Sequence, residues 1–219
     1  MTRIEKDLLN YNSKYEKNGV LINKLGIEDV ELLDKAERMI TSYKLAKLYL
    51  EPGIQTFDPE HYLSIHKFLF DDIYEFAGKT RNENISKTIM FCPANFTYQE
   101  LNRVLTEAKG KINNIDSREK LLPFITELYS ELDVIHPFRE GNGRTEREFL
   151  RQFIDHICMI NNLEPYYLDY SAIENREEYI RAVIDADLCN YGNLLLIFDS
   201  ILKVKTDEKE LNNDSEITK

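Results

Sequence analysis

His136-Pro137-Phe138-Arg139-Glu140-Gly141-Asn142-Gly143-Arg144-Thr145-Glu146-Arg147 decides how this chain is read. These twelve residues gather an imidazole, a carboxylate, two glycines, an amide and closely spaced arginines, and a helix-forming run follows from Glu148 to Ile160. Glycines let the backbone turn tightly and approach a ligand. The first N–H groups of a helix lack intrahelical partners, and the helix dipole favours negative charge there. Gly141-Asn142-Gly143 ahead of a helix therefore makes a cradle for phosphate oxygens. Arg144 and Arg147, three apart, share one helix face, with Arg151 four further on. Two guanidinium forks beside such a cradle suit a di- or triphosphate. Glu140 could hold Mg²⁺, which is commonly bound by one carboxylate plus substrate phosphates. His136, on the rim of the same loop, could take the proton of an attacking hydroxyl. Pro137 stiffens the approach and Phe138 anchors the loop in the core. A lone histidine, a Gly-Asn-Gly or a row of arginines is more often structural. Their joint occurrence, in an order that can converge on one ligand, favours function.

Working outward, 219 residues suit one domain with a sizeable core. The hydrophobic fraction of 42% and charged fraction of 31% are those of an ordinary globular protein. A formal net charge of −11 repels phosphate backbones and anionic lipid, so neither nucleic acid nor a membrane is expected as a partner. Any anion site must be built locally, from arginines and backbone N–H groups. Cys92, Cys158 and Cys189 are odd in number and widely spaced, which argues against a disulfide framework or a structural zinc site. No apolar leader region and no long apolar run is visible. The expected location is the cytoplasm, and export by a system that reads no cleavable signal stays compatible with the sequence.

The rest of the chain reads as helices. Asn18-Gly19 is a turn signal. Asp29 caps a helical pattern whose apolar positions Leu32, Leu33, Ala36, Met39, Ile40 and Tyr43 should form its buried face. Asp58 with Pro59 opens a second helix, with His61, Tyr62, Ile65, His66, Leu69 and Phe70 inward. Residues 81–96 break the pattern, and Ile85 with Thr88–Cys92 favours extended structure, a short hairpin or loop expected to be the one strand-like element. Helices are expected over 98–112, 121–132, 171–185 and 191–204, followed by a polar tail.

His136 to Arg147 resembles the signature of the Fic family, H-P-F-x-[D/E]-G-N-G-R-x-x-R, at every specified position. Leu25-Gly26-Ile27, His66 with Leu69-Phe70, Ile73–Lys79, Arg81 and Ile85-Ser86-Lys87 are similar to the family's preceding segments. The resemblance implies an all-α fold, a Fic-type helical bundle with a small β-hairpin flap beside the active-site loop. It divides the chain into an N-terminal extension (1–21), a Fic domain (22–204) and a polar C-terminal tail (205–219). It implies a protein adenylyltransferase that moves AMP from ATP to a Ser, Thr or Tyr hydroxyl of a target protein and releases pyrophosphate. In that reading His136 is the general base and Glu140 holds Mg²⁺. Gly141, Asn142 and Gly143 cradle the phosphates, with Arg144 on the β- and Arg147 on the γ-phosphate. Lys87, Thr88, Ile89, Met90 and Phe91 form the flap that docks the target by strand-like pairing. Related Doc kinases carry Lys at the position of Gly143, so Gly143 favours AMP transfer over a Doc-like kinase; a nucleotide-binding regulatory module is the other alternative. Thr206–Glu210 partly matches the family's inhibitory segment [S/T]-x-x-x-E-[G/N], departing at Leu211. That makes Glu210 a candidate inhibitory residue, the alternative being a separate inhibitory protein.

Overall fold

The structure, a computed structural model, describes residues 14–53, 55–86, 88 and 90–206. It is mostly helical, with seven α-helices and two small antiparallel hairpins among the described residues, as a Fic-type helical fold requires. The helices are α1 (Val30–Leu50), α2 (Pro59–Phe70), α3 (Thr97–Lys111), α4 (Arg118–Ile135), α5 (Asn142–Ile160), α6 (Arg176–Asp187) and α7 (Gly192–Ile201). The chain divides into two compact units: Met1–Thr106 with Leu132–Phe149, and Glu107–Glu131 with Leu150–Lys219. Among the described residues no helix is long and apolar enough to cross a membrane.

The first unit carries the motif. It begins with a hairpin of β1 (Glu16–Lys17) and β2 (Val20–Leu21), closed by Asn18 (φ 54°) and Gly19 (φ 78°). Two consecutive positive φ values make a type I′ turn, the geometry that Asn-Gly favours. The Asp29 carboxylate caps α1 by accepting from the Leu32 N–H. The buried face of α1 differs from the expected apolar one: it is Leu33, Glu37, Thr41, Lys44 and Leu48, while Leu32, Met39 and Tyr43 are exposed. Polar side chains go inside because each meets a partner there. Glu37 pairs with Arg144 and accepts from the Tyr74 hydroxyl, and Lys44 bridges Asp71 and Asp72. Paired in this way, a charge tolerates burial that it could not otherwise bear.

α2 follows the sequence closely. Asp58 caps it by accepting from His61 N–H, and Pro59 takes the first turn, where it costs no hydrogen bond. Its inner stripe of His61, Tyr62, Ile65, His66, Leu69 and Phe70 is buried. Tyr62 stacks on Phe138, and Phe149 closes the cluster from α5. Between Arg81 and Phe96 the strand-like segment is slighter than expected: Ser86 and Met90 form a single antiparallel bridge.

The second unit holds a two-stranded antiparallel sheet that sequence patterning missed. β3 (Tyr166–Leu168) pairs with β4 (Leu202–Val204), so the helix expected over 191–204 ends at Ile201 and continues as strand. Tyr129 meets Phe198 edge-on and shares a 2.6 Å hydrogen bond with the Tyr179 hydroxyl. Arg118 binds both the carboxylate and the carbonyl of Asp199. Residues 207–219, and with them Glu210, lie outside the described residues, as do Lys87 and Ile89 of the flap.

Candidate functional site

α4 ends at Ile135, and the chain turns sharply at His136, whose backbone is left-handed at φ 44°. A non-glycine residue held there is strained by about 1–3 kcal/mol and persists only where its surroundings fix it. The fixing group is Arg81, 2% exposed and among the largest fully buried side chains of the described chain. Its Nε donates to the His136 carbonyl at 2.8 Å, and its terminal nitrogens donate to the carbonyls of Glu83 (2.8 Å), Ile135 (3.4 Å) and Cys92. Its own N–H donates to the Pro137 carbonyl at 2.8 Å. A further backbone bond runs from Cys92 N–H to the Val134 carbonyl at 2.9 Å. One guanidinium thus ties the two ends of the flap to the motif loop.

The His136 side chain is enclosed. Nδ1 lies 3.2 Å from the Asp133 carbonyl and 3.3 Å from its carboxylate. Phe91 lies parallel to the imidazole with ring centroids 3.9 Å apart. Phe91, one of the flap residues, is 5% exposed and turned inward onto the imidazole. Its aromatic face gains more from the ring than from water. Thr88 and Met90 are exposed, Met90 at 80%.

Beyond His136 the loop is held residue by residue. Phe138, with 0% exposure, lies against the His66 ring at 3.7 Å. Asn142 clasps Phe138 from both sides: Oδ1 accepts its N–H and Nδ2 donates to its carbonyl, each at 2.8 Å. The Asn142 amide is thereby spent on the loop, and only its backbone N–H faces the helix start. His66 Nδ1 accepts from Gly78 N–H at 2.8 Å, which leaves Nε2–H to donate to the Glu140 carbonyl at 2.9 Å. Burial, aided by the charge of Arg144, lowers the His66 pKa to about 3, although the Glu140 bond opposes the shift. Arg139 leaves the loop outward and pairs with Glu16.

Gly141 (φ 84°) completes the turn against Phe70, whose ring would sit 2.3 Å from a Cβ placed there. The helix starts earlier than the sequence suggested, at Asn142, so Gly143 lies within its first turn. Thr145 N–H is the first to bond back, to the Gly141 carbonyl at 3.1 Å. Above Gly143 lies the Arg147 guanidinium, whose nearest nitrogen would be 3.1 Å from an added Cβ. Arg144 spans Glu37, Thr41 (3.4 Å) and Glu140 (3.4 Å), with its guanidinium carbon 4.8 Å from the Phe70 centroid. Glu140 is half-exposed, and its Oε1 accepts from Gly141 N–H at 2.9 Å. Arg151 pairs with Asp155 one turn on, at 3.0 Å. The loop thus brings together an oriented imidazole, a helix N-terminus, two arginines and one carboxylate. Such a set can hold a polyphosphate and accept a proton beside it.

A family model described as the Fic/DOC family matches residues 56–154. A probable protein adenylyltransferase, y4lH of Sinorhizobium fredii, is 33% identical over 163 residues, covering 73% of this chain and 80% of that protein. The chain belongs to the Fic/DOC family. A second relative, the protein adenylyltransferase VbhT of Bartonella schoenbuchensis, is 32% identical over 81% of this chain and 35% of that protein. The crystal structure of the N-terminal Fic domain of a VirB-translocated effector from Bartonella quintana superposes with a TM-score of 0.73 and 26% identity. It covers 87% of this chain and 92% of that one. The same domain with bound ADP matches equally well, with a TM-score of 0.73 and 26% identity over 88% and 94% of the two chains.

Four of this Fic domain's supporting residues escaped the sequence reading as functional parts: Glu37, His66, Arg81 and Asp133. Asp133 alone carried a usable local signal, because a residue three before His136 at the end of a helix shares its face. The others act across the fold, at separations of 107 residues for Glu37–Arg144, 74 for His66–Glu140 and 55 for Arg81–His136.

Proposed function

We propose that this chain is a protein adenylyltransferase: it transfers AMP from ATP to a hydroxyl side chain of a target protein. The observation that carries the reading is the His136 imidazole on the same loop that opens the α5 N-terminus, with Glu140, Arg144 and Arg147 gathered around that helix start. The hydroxyl oxygen of the target attacks the α-phosphorus and its proton passes to the His136 imidazole. The bond from the α-phosphorus to the bridging oxygen breaks, and pyrophosphate leaves. Backbone N–H groups of Asn142–Arg144, with the Arg144 and Arg147 forks, take the charge of the departing phosphates.

Glu140 fits a magnesium ligand in the manner Mg²⁺ prefers, a single half-exposed carboxylate beside a phosphate cradle rather than an all-protein cage. Bound there, Mg²⁺ supplies charge neutralisation of the phosphates. Gly143 supports AMP transfer over phosphate transfer. A side chain at 143 begins 3.1 Å from the Arg147 guanidinium, so a lysine there displaces the fork that takes the terminal phosphate. The exposed flap residues Thr88 and Met90 face the target.

The test is incubation with a cell lysate and Mg²⁺, using α-labelled and γ-labelled ATP in parallel. Label from the α-position, lost in His136→Ala, is the expected result. Label from the γ-position would instead make the protein a kinase. ATP binding without transfer of either label would make the nucleotide a regulatory ligand.

A further inference from the structure

We infer that Asp133 is a positioning residue for His136, fixing its tautomer and stabilising the imidazolium formed when the target hydroxyl gives up its proton. The inference rests on the AMP-transfer reading, which assigns His136 but not its partner. Nδ1 faces two groups, the Asp133 carbonyl at 3.2 Å and the Asp133 carboxylate at 3.3 Å. An ionised carboxylate and a carbonyl both only accept, so Nδ1 must carry the hydrogen. The lone pair is then on Nε2, the nitrogen that has to receive the proton.

The site leaves the ring little room to choose otherwise. The His136 side chain is 8% exposed and that of Asp133 17%, so water competes weakly for either. Phe91 covers one ring face in a parallel stack, 9° from coplanar, which restrains rotation about the Cβ–Cγ bond. Arg81 fixes the His136 carbonyl from the backbone side. The imidazole is therefore held at three places: ring face, Nδ1 and main chain.

During transfer the hydroxyl proton moves to Nε2, and the ring becomes an imidazolium with a hydrogen on each nitrogen. Its positive charge lies against the Asp133 carboxylate in a poorly hydrated pocket, where such pairing is stronger than in water. The proton returns to solvent from Nε2 once the product leaves. Asp133 lies against Nδ1, on the side of the ring away from the proton-accepting Nε2, so its effect is expected in the rate and not in nucleotide affinity.

Three measurements on the full chain test this: lysate labelling rate from α-labelled ATP, affinity for α,β-methylene-ATP, and the ¹⁵N spectrum of histidine-labelled protein. The four histidines are separated by comparison with His136→Ala. The expected wild-type spectrum shows His136 with hydrogen on Nδ1. In Asp133→Asn and Asp133→Ala, labelling should fall at least about tenfold, within the range of general-base effects. Analogue affinity should stay within about twofold, and the Nε2–H tautomer should gain population. Using two variants keeps the test open if one folds poorly. Labelling within twofold of wild type in both variants overturns the inference. So does a wild-type His136 with hydrogen on Nε2, or a loss of labelling matched by an equal loss of analogue affinity. A wild type that binds the analogue and labels nothing removes the transfer reading instead, and the tautomer still decides whether Asp133 orients His136.

Discussion

Acidification should unlock the motif loop through His66, a residue wholly buried behind it. Its ring has 0% exposure, with Phe138 stacked at 3.7 Å and Phe70 at 4.7 Å. A second proton would sit on Nδ1, facing Gly78 N–H at 2.8 Å, donor against donor. Burial holds the pKa near 3, below the ordinary value of 6.5. Between those values the unfolded chain binds a proton that the folded chain refuses, so stability rises with pH across that window. The contribution is complete above pH 6.5 and is lost progressively as pH falls towards 3. At about 1.36 kcal/mol per pH unit, lowering the pH from 6.5 to 5 costs about 2 kcal/mol through this one group. Other ionisable groups titrate too, so the measurement is a difference. Urea midpoints of wild type and His66→Gln are compared at pH 7, 6, 5 and 4, since glutamine is not ionisable and can still donate to the Glu140 carbonyl. The wild-type curve should steepen relative to the variant by about 1.4 kcal/mol per unit below pH 6. Parallel curves, or a His66 resonance titrating near 6.5, would refute the argument.

The two motif glycines should behave oppositely. Gly141→Ala combines a left-handed backbone with a Cβ 2.3 Å from the Phe70 ring, and should lose about 2–5 kcal/mol in urea unfolding. Gly143→Ala has an ordinary helical backbone and meets only the flexible end of Arg147. It should unfold like wild type while losing preference for ATP over ADP in calorimetric binding. Arg81→Lys keeps the charge but cannot span four carbonyls. It should cut labelling about 100-fold, as a small misplacement of a catalytic group does, while leaving α,β-methylene-ATP affinity within about twofold.

Much of the fold was legible because its signals are local. Asp29, Asp58 and Pro59 mark helix starts through caps formed within three residues, and each functions as such in the structure. The motif loop was equally legible as a concentration of unusual chemistry. The buried face of α1 was not, because the burial of Glu37, Thr41 and Lys44 depends on Arg144, Asp71 and Asp72 arriving from elsewhere in the chain. Apolar periodicity pointed to Leu32, Met39 and Tyr43, yet partner geometry reversed the choice. The β3–β4 pair was hidden for another reason. Strands of three residues carry too few alternations to show a period, and two helices, α6 and α7, separate the pair in sequence. Phe91 reads as a flap residue by position, and only the folded structure turns its ring onto His136.

The Arg81 clasp separates two kinds of change in the flap. At its base, the main-chain carbonyls of Glu83 and Cys92 share one guanidinium with the His136 carbonyl, so that hold survives exchange of either side chain and is lost with Arg81. At its tip, Thr88 and Met90 stand in solvent beyond that knot. Exchange of either tip residue therefore leaves the knot at His136 in place.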